Sequence, residues 1–211
     1  LSLIKSHTPE TLKTILVDPK QTDFIYFDDL PHLLSDNVII EPTEAIDWLR
    51  RLMDDELQRR TKLLREARAR NISDYNRDKA DSEALPYIAV VIEEDADLVH
   101  ALSGSDRDEF ERQLVRLAQL ARNVGIHLVI ATQRPSADIV TTRLKTNLPA
   151  RVAFRLPSHH DSSTILDRPG AEKLIGKGDM LALMEGDMQR LQGFYVSPER
   201  LEELVQQGEV G

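Results

Sequence analysis

Residues 85–98 read LPYIAVVIEEDADL. An apolar run from Tyr87 to Ile92 stops abruptly at Glu93 and Glu94, with Asp95 and Asp97 just beyond. A run of this length and composition is a buried strand, and in open α/β sheets ligands bind at the carboxyl ends of the strands. Successive strand residues point to opposite faces, so the two glutamates cannot share one job. One carboxylate can hold a magnesium ion, directly or through water, because magnesium is hard and prefers oxygen. The other can orient and polarise an attacking water. A strand that merely reaches solvent also ends in acids, so this segment alone leaves both readings open.

A second strand tip points the same way. Residues 126–132 read IHLVIAT and end in Gln133-Arg134-Pro135. An amide and a guanidinium at a neighbouring tip suit sensing of a γ-phosphate; a loop hydrogen bond for Gln133 and a surface ion pair for Arg134 are the plainer alternatives.

The elements that must position these tips are legible in the periodicity. Residues 14–18 read as a strand closed by Pro19, 88–92 as a fully apolar strand and 151–155 as another. Residues 44–70 form one long helix, with Ala45, Leu49, Leu52, Met53, Leu57, Leu64 and Ala67 at helical spacing. Residues 77–84 are a loop. Ser105 or Asp106 caps a helix with Phe110, Leu114, Leu117, Ala118 and Ala121 on one face, ended by Gly125. A short helix is expected over 137–145. The runs 180–184 and 191–196 form a hairpin around Glu185-Gly186-Asp187, and Pro198 opens a last helix. Apolar strands alternating with helices predict a mainly parallel sheet covered on both faces, in a single domain over 1–211. His127, inside the strand at 126–132, reads as a hydrogen-bonded structural histidine.

Composition bounds the chemistry. The 211 residues contain no cysteine, which excludes a disulfide scaffold and a thiolate metal site and fits a reducing, cytoplasmic compartment. No run approaches the roughly 18 apolar residues of a membrane span, so no membrane contact by this segment is expected, and any anchor would lie upstream. The 27 basic and 36 acidic residues give a net charge of −9 and argue against a uniformly basic nucleic-acid coat. A local basic stripe runs through Arg59, Arg60, Lys62, Arg65, Arg68 and Arg70, and a solvated helix face accounts for it better than a nucleic-acid contact does. His159-His160 lacks a third ligand and makes a poor zinc site.

In order along the chain, ILVDPK (15–20), LPHLL (30–34), RNISDYN (70–76), LPYIAVVIEEDADL (85–98), RLAQLARNVGIHLVIATQRPSADIVTTRLKTNLPARVAF (116–154), DSSTIL (161–166) and GAEKLIGKGDML (170–181) resemble the motor domain of the FtsK/SpoIIIE translocases. The resemblance implies a RecA-like P-loop ATPase core, ATP and Mg2+ as cofactors, and a homo-oligomeric ring, usually hexameric, around double-stranded DNA with nucleotide between subunits. Glu93 falls on the metal-organising Walker B acid and Glu94 on the catalytic glutamate. Gln133 falls on the polar residue after the sensor strand. Gly176, Gly178 and Asp179 fall on a loop near the nucleotide. Arg134, Arg143 and Arg151 are candidates for the arginine that reaches a neighbour's nucleotide. Arg143, Lys145 and Asn147 are the candidate DNA contacts.

Three departures qualify the resemblance. Glu93 replaces the usual aspartate, and Ser163 stands where arginine is common. No G-x-x-x-x-G-K-[ST] occurs in the sequence; the phosphate-binding loop is expected a few residues before Leu1, on a segment that also supplies a central strand. The chain alone is therefore expected to turn over no ATP and to show an exposed sheet edge. The implied function is an ATP-dependent double-stranded DNA translocase. The alternatives are a type VII secretion-like ATPase moving protein substrates, or a degenerate motor domain acting as an assembly or regulatory module.

Overall fold

The structure, a computed structural model, describes residues 1–102 and 104–208. It divides into two compact units, one built from Leu1–Thr132 with the segment from Pro198, the other from Gln133–Ser197.

In the first unit the elements are α1 (Ser2–Ser6), β1 (Leu12–Val17), α2 (Pro42–Arg51), α3 (Leu57–Glu66), α4 (Ile72–Asn76), β2 (Tyr87–Ile92), α5 (Asp95–Ala101), α6 (Gly104–Leu120) and β3 (Ile126–Ile130). Their strands form a parallel sheet in the order β1-β2-β3. Val17 lies opposite Ile92 and Ile92 opposite Ile130. Asp18, Glu93 and Ala131 therefore leave the sheet side by side on its carboxyl rim. β1 and β2 are almost wholly buried. β3 has a strand partner on one side alone among the described residues, and Val129 is 49% exposed. His127 is exposed and stacked on Tyr87 with centroids 5.9 Å apart, a surface ring contact where a hydrogen-bonded structural histidine was expected.

The long helix departs from its expected form. It starts at Pro42 and ends at Glu66, not Arg70, and a π turn over Leu52–Glu56 interrupts it, with the Leu57 N–H reaching back to the Leu52 carbonyl. Arg68 adopts φ 53°, which no helix accommodates. Asn71 then caps α4 by accepting from the Asp74 N–H at 2.9 Å. α6 starts at Gly104, so Ser105 and Asp106 lie inside its first turn and do not cap it. Its face of Phe110, Leu114, Leu117 and Ala121 is buried as the spacing requires, each large side chain contributing roughly 1.5–3 kcal/mol. Gly125, at φ 79°, turns the chain into β3; a Cβ there would stand 2.4 Å from Ile72 Cδ1, so only glycine fits.

The second unit holds α7 (Thr142–Asn147), β4 (Arg151–Phe154), α8 (His159–Leu166), β5 (Asp179–Met184) and β6 (Asp187–Gln192). Its strands form an antiparallel sheet in the order β4-β5-β6. The parallel arrangement is thus confined to the first unit. The hairpin turn is Glu185-Gly186, both at positive φ, and Asp187 already pairs with Met184, so β6 begins four residues earlier than its apolar run suggested. Ala153, Leu166, Ala171, Leu174 and Leu183 form the core of this unit. The last helix, α9 (Pro198–Gly208), belongs to the first unit, where Val205 packs with Ile4, Leu16, Phe27 and Leu30.

Candidate nucleotide and metal site

The rim of the parallel sheet gathers more acid than the sequence motif names. The Glu93 N–H donates to the Val17 carbonyl at 2.9 Å, extending the ladder one residue past β2. Its side chain is half-buried. Burial raises its pKa, and Asp23, Glu94 and Asp18 raise it further, against the opposing pull of Lys20. Negative charge therefore accumulates at Glu93, and a divalent cation would relieve it.

Glu94 is in a different environment. It is 1% exposed and takes the left-handed conformation, φ 51° and ψ 63°, at the residue before α5. A non-glycine residue held there costs about 1–3 kcal/mol and marks functional sites more often than others. The surroundings hold it firmly. The Thr132 hydroxyl donates to Glu94 Oε1 at 2.9 Å. Lys20 Nζ stands 3.7 Å from Glu94 Oε2 and 2.8 Å from Asp97 Oδ2.

Lys20 is itself placed by Asp18. One oxygen of this buried carboxylate accepts the backbone N–H groups of Thr22, Asp23 and Phe24 at 2.9–3.0 Å. That clamp shapes the turn carrying Lys20. The other oxygen, Oδ1, is buried without a hydrogen-bond partner among the described residues. Lys20, Asp18 and Thr132 are neighbours of the acid pair that sequence reasoning missed. The signal existed: ILVDPK ends a strand parallel to β2, so Asp18 must emerge beside Glu93.

No group of three His, Asp or Glu residues arranged to hold a metal occurs among the described residues. Glu93, a hard oxygen donor in an acid-rich rim, fits magnesium that arrives with its remaining ligands on a phosphate chain.

In the second unit, Gln133 and Arg134 directly follow Thr132 in the chain and are exposed. Gly176 and Gly178 take φ 86° and 89°. Asp179 does not offer a free carboxylate: it receives Arg190 Nε and Nη2 at 2.9 and 2.8 Å and the Ile175 N–H at 2.8 Å. The Arg190 guanidinium, then the Ile175 N–H, lower its pKa to about 2. Its place is to close the 175–179 loop.

Two cation candidates have a carboxylate partner within the chain. Asp167, at the end of α8, binds Lys145 Nζ at 2.7 Å and Arg151 Nη1 at 2.5 Å, and Arg151 also donates to the Ile165 carbonyl at 2.9 Å. Both cations are mostly buried in this cluster, which joins α7, β4 and the end of α8. For Arg151 to reach a neighbouring nucleotide, or Lys145 to contact DNA, this cluster would have to open. Asn147 donates to the Arg143 carbonyl at 2.8 Å. The Arg143 side chain is exposed and lies near no carboxylate among the described residues. Ser163 satisfies its hydroxyl on the His159 carbonyl at 2.9 Å. The basic stripe is largely paired, Arg59 and Arg60 with Glu56, Lys62 with Glu66 and Arg70 with Asp74; Arg59, Lys62 and Arg70 lie on a solvated face, whereas Arg60 is buried.

The FtsK/SpoIIIE family profile matches residues 1–137. The chain belongs to the FtsK/SpoIIIE family. It is 44% identical over 210 residues to the DNA translocase FtsK of Clostridium tetani, covering 97% of this chain and 28% of that protein. It is 40% identical over 209 residues to the DNA translocase FtsK of Helicobacter pylori J99, covering 97% and 24%. The chain thus spans about a quarter of the length of these relatives. Among solved structures it resembles the pCW3 conjugation coupling protein TcpA bound to ATPγS, with a TM-score of 0.81, 30% identity, and 94% and 57% of the two chains covered. It also resembles the type VII secretion ATPase EccC of Thermomonospora curvata, with a TM-score of 0.77, 25% identity, and coverage of 97% and 25%. The FtsK/SpoIIIE fold, a P-loop ATPase core with a parallel sheet flanked by helices, is therefore the fold of this chain.

Proposed function

We propose that this chain supplies the ATP-hydrolysing rim of a motor that moves double-stranded DNA through a ring, most simply a hexamer, with nucleotide held between subunits. The supporting observation is the pair Glu93 and Glu94 on the carboxyl rim of a parallel sheet, the first half-buried among acids and the second buried in a strained conformation. The FtsK relatives are DNA translocases by name, and TcpA was solved with an ATP analogue.

In this reading Glu94 holds the attacking water by accepting its proton, in line with the γ-phosphate. Glu93 binds the hydrated cation. Magnesium, when bound, neutralises charge on the β- and γ-phosphates. Thr132 and Lys20 fix the Glu94 carboxylate. Gln133, Arg134 and the Gly176–Gly178 loop are proposed to face the nucleotide, Arg134 or Arg143 to reach a neighbouring subunit, and Arg143 to contact phosphates of DNA without reading sequence. No phosphate-cradling motif occurs in this sequence, and the 211-residue chain alone is proposed to turn over no ATP.

The likeness to EccC supports a second reading, in which the same ATPase moves a polypeptide. Hydrolysis by the full-length protein, measured with and without linear double-stranded DNA, separates them. The DNA reading requires stimulation by DNA of any sequence; hydrolysis indifferent to DNA sinks it. The altered acid Glu93 and Ser163 motivate a third reading, a degenerate motor kept for assembly, which any turnover abolished by Glu94→Gln would exclude.

A further inference from the structure

At the opposite end of the parallel sheet from the acid rim lies a cavity of about 390 Å3. It sits where β1 and β2 begin, between Lys13, Ile88 and the long helix around its π turn. The volume falls in the range of ligand sites. Leu52 and Ile88 give it buried apolar walls, Trp48 is half-buried beside them, and Leu34 remains 38% exposed at its mouth. A π turn inside an α-helix is uncommon and recurs at functional sites.

The charges around the cavity are not all balanced. Glu56 is matched by Arg59 and Arg60, with N–O distances of 2.7 Å to each. Lys13 and Arg51 differ. Lys13 Nζ donates to the Pro31 carbonyl at 3.0 Å, and the Arg51 guanidinium lies 5.0 Å over the Trp48 ring. Neither has a carboxylate within ion-pair distance among the described residues. One lining carboxylate, Asp55, is likewise outside such pairs; the four cations Lys13, Arg51, Arg59 and Arg60 against the two carboxylates Asp55 and Glu56 leave an excess of two positive charges over an apolar hollow in a chain of net charge −9. That combination selects a ligand with a bulky apolar group next to a carboxylate.

We propose that this cavity is a peptide-docking site, taking one large apolar side chain of a partner protein with an adjacent carboxylate on Arg51 and Lys13. A peptide is favoured over a free small molecule because the hollow is open on one side. A side chain can insert while its backbone stays on the surface, whereas a free ligand gains most when nearly enclosed. The inference rests on no part of the motor reading.

Trp48 is the single tryptophan of the chain, so its fluorescence reports the site directly. Random heptapeptides displayed on phage are panned against the immobilised 211-residue chain, and an enriched peptide free of tryptophan is titrated while Trp48 emission is followed. Enrichment of Phe, Leu or Met beside Asp or Glu is expected, with a saturable emission change. Arg51→Glu, on an exposed side chain, is expected to weaken binding at least about tenfold, roughly 1.4 kcal/mol, with an unchanged thermal melt. Lys13→Glu provides a second variant should the first unfold. No enrichment, enrichment without the acidic neighbour, or equal binding by folded Arg51→Glu and Lys13→Glu variants would overturn the proposal. So would 4-phenylbutyrate binding as tightly as the peptide, which would make this a site for free carboxylates.

Discussion

Glu93 and Glu94 are chain neighbours with opposite requirements. Glu93 is ionised at a cost, since burial and the surrounding acids raise its pKa. A carboxyl raised in the folded state contributes stability below its ordinary range and loses it as pH rises through the folded value. Glu93→Gln is therefore expected to raise the melting temperature at pH 7, with the gain vanishing near pH 4, where the native glutamate is already protonated; a variant no more stable at pH 7 would contradict this environment. Glu94 depends on partners. Removing the Thr132 hydroxyl leaves a buried carboxylate oxygen short of a donor, so Thr132→Val is expected to destabilise the chain by about 1–3 kcal/mol in urea unfolding. Lys20→Met is expected to lower kcat of the active full-length protein with KM little changed, and Lys20→Arg to recover part of the loss. A rise in KM alone would assign Lys20 to substrate binding instead. The acid pair was legible because an apolar run stopped abruptly at it. Thr132 and Lys20 were not, because contacts between residues 38 and 74 positions from Glu94 in the chain leave no local pattern.

Elements were legible where a single period governed them. β2 begins one residue before its apolar core and ends where expected, and α6 buries the face its spacing defines. The long helix was harder. Its π turn rotates the buried stripe, so Met53 and Leu57 are followed by Arg60 and Leu64. An arginine in a buried stripe is invisible to a hydrophobic template, yet Arg60 is 1% exposed and ties α3 to the turn before β3 through the Val124 carbonyl at 2.9 Å. Arg60→Ala leaves Glu56 without this partner and opens a cavity, and is expected to cost about 3–5 kcal/mol, read as an earlier urea midpoint with unchanged slope. A loss under about 1 kcal/mol, as for surface pairs, would show that the contact is dispensable. α5 was missed because its first turn is rich in aspartate and follows a left-handed Glu94. β6 was misplaced because Asp187 and Arg190 dilute its alternation, and pairing with β5 decides the register.

At the scale of the molecule, the charge balance separates gripping residues from structural ones. A net charge of −9 opposes DNA binding by the isolated chain, so DNA affinity must come from a few placed cations and fall steeply with salt. Arg143→Glu is expected to weaken DNA stimulation of the full-length protein and reduce the salt slope. Arg151→Ala is expected to destabilise the fold, because Arg151 is tied to Asp167 and Ile165. Equal loss of DNA response from Arg143→Glu and from a folded Arg151→Ala variant would show that Arg151 acts on DNA or nucleotide as well as on the fold. The central claim is tested most directly by Glu94→Gln in the full-length protein, comparing ATPγS binding with ATP turnover on double-stranded DNA. The account predicts binding within about threefold of the wild type and turnover reduced at least about a hundredfold. Turnover close to the wild-type rate would show that the carboxylate buried at this rim is not the one that activates water.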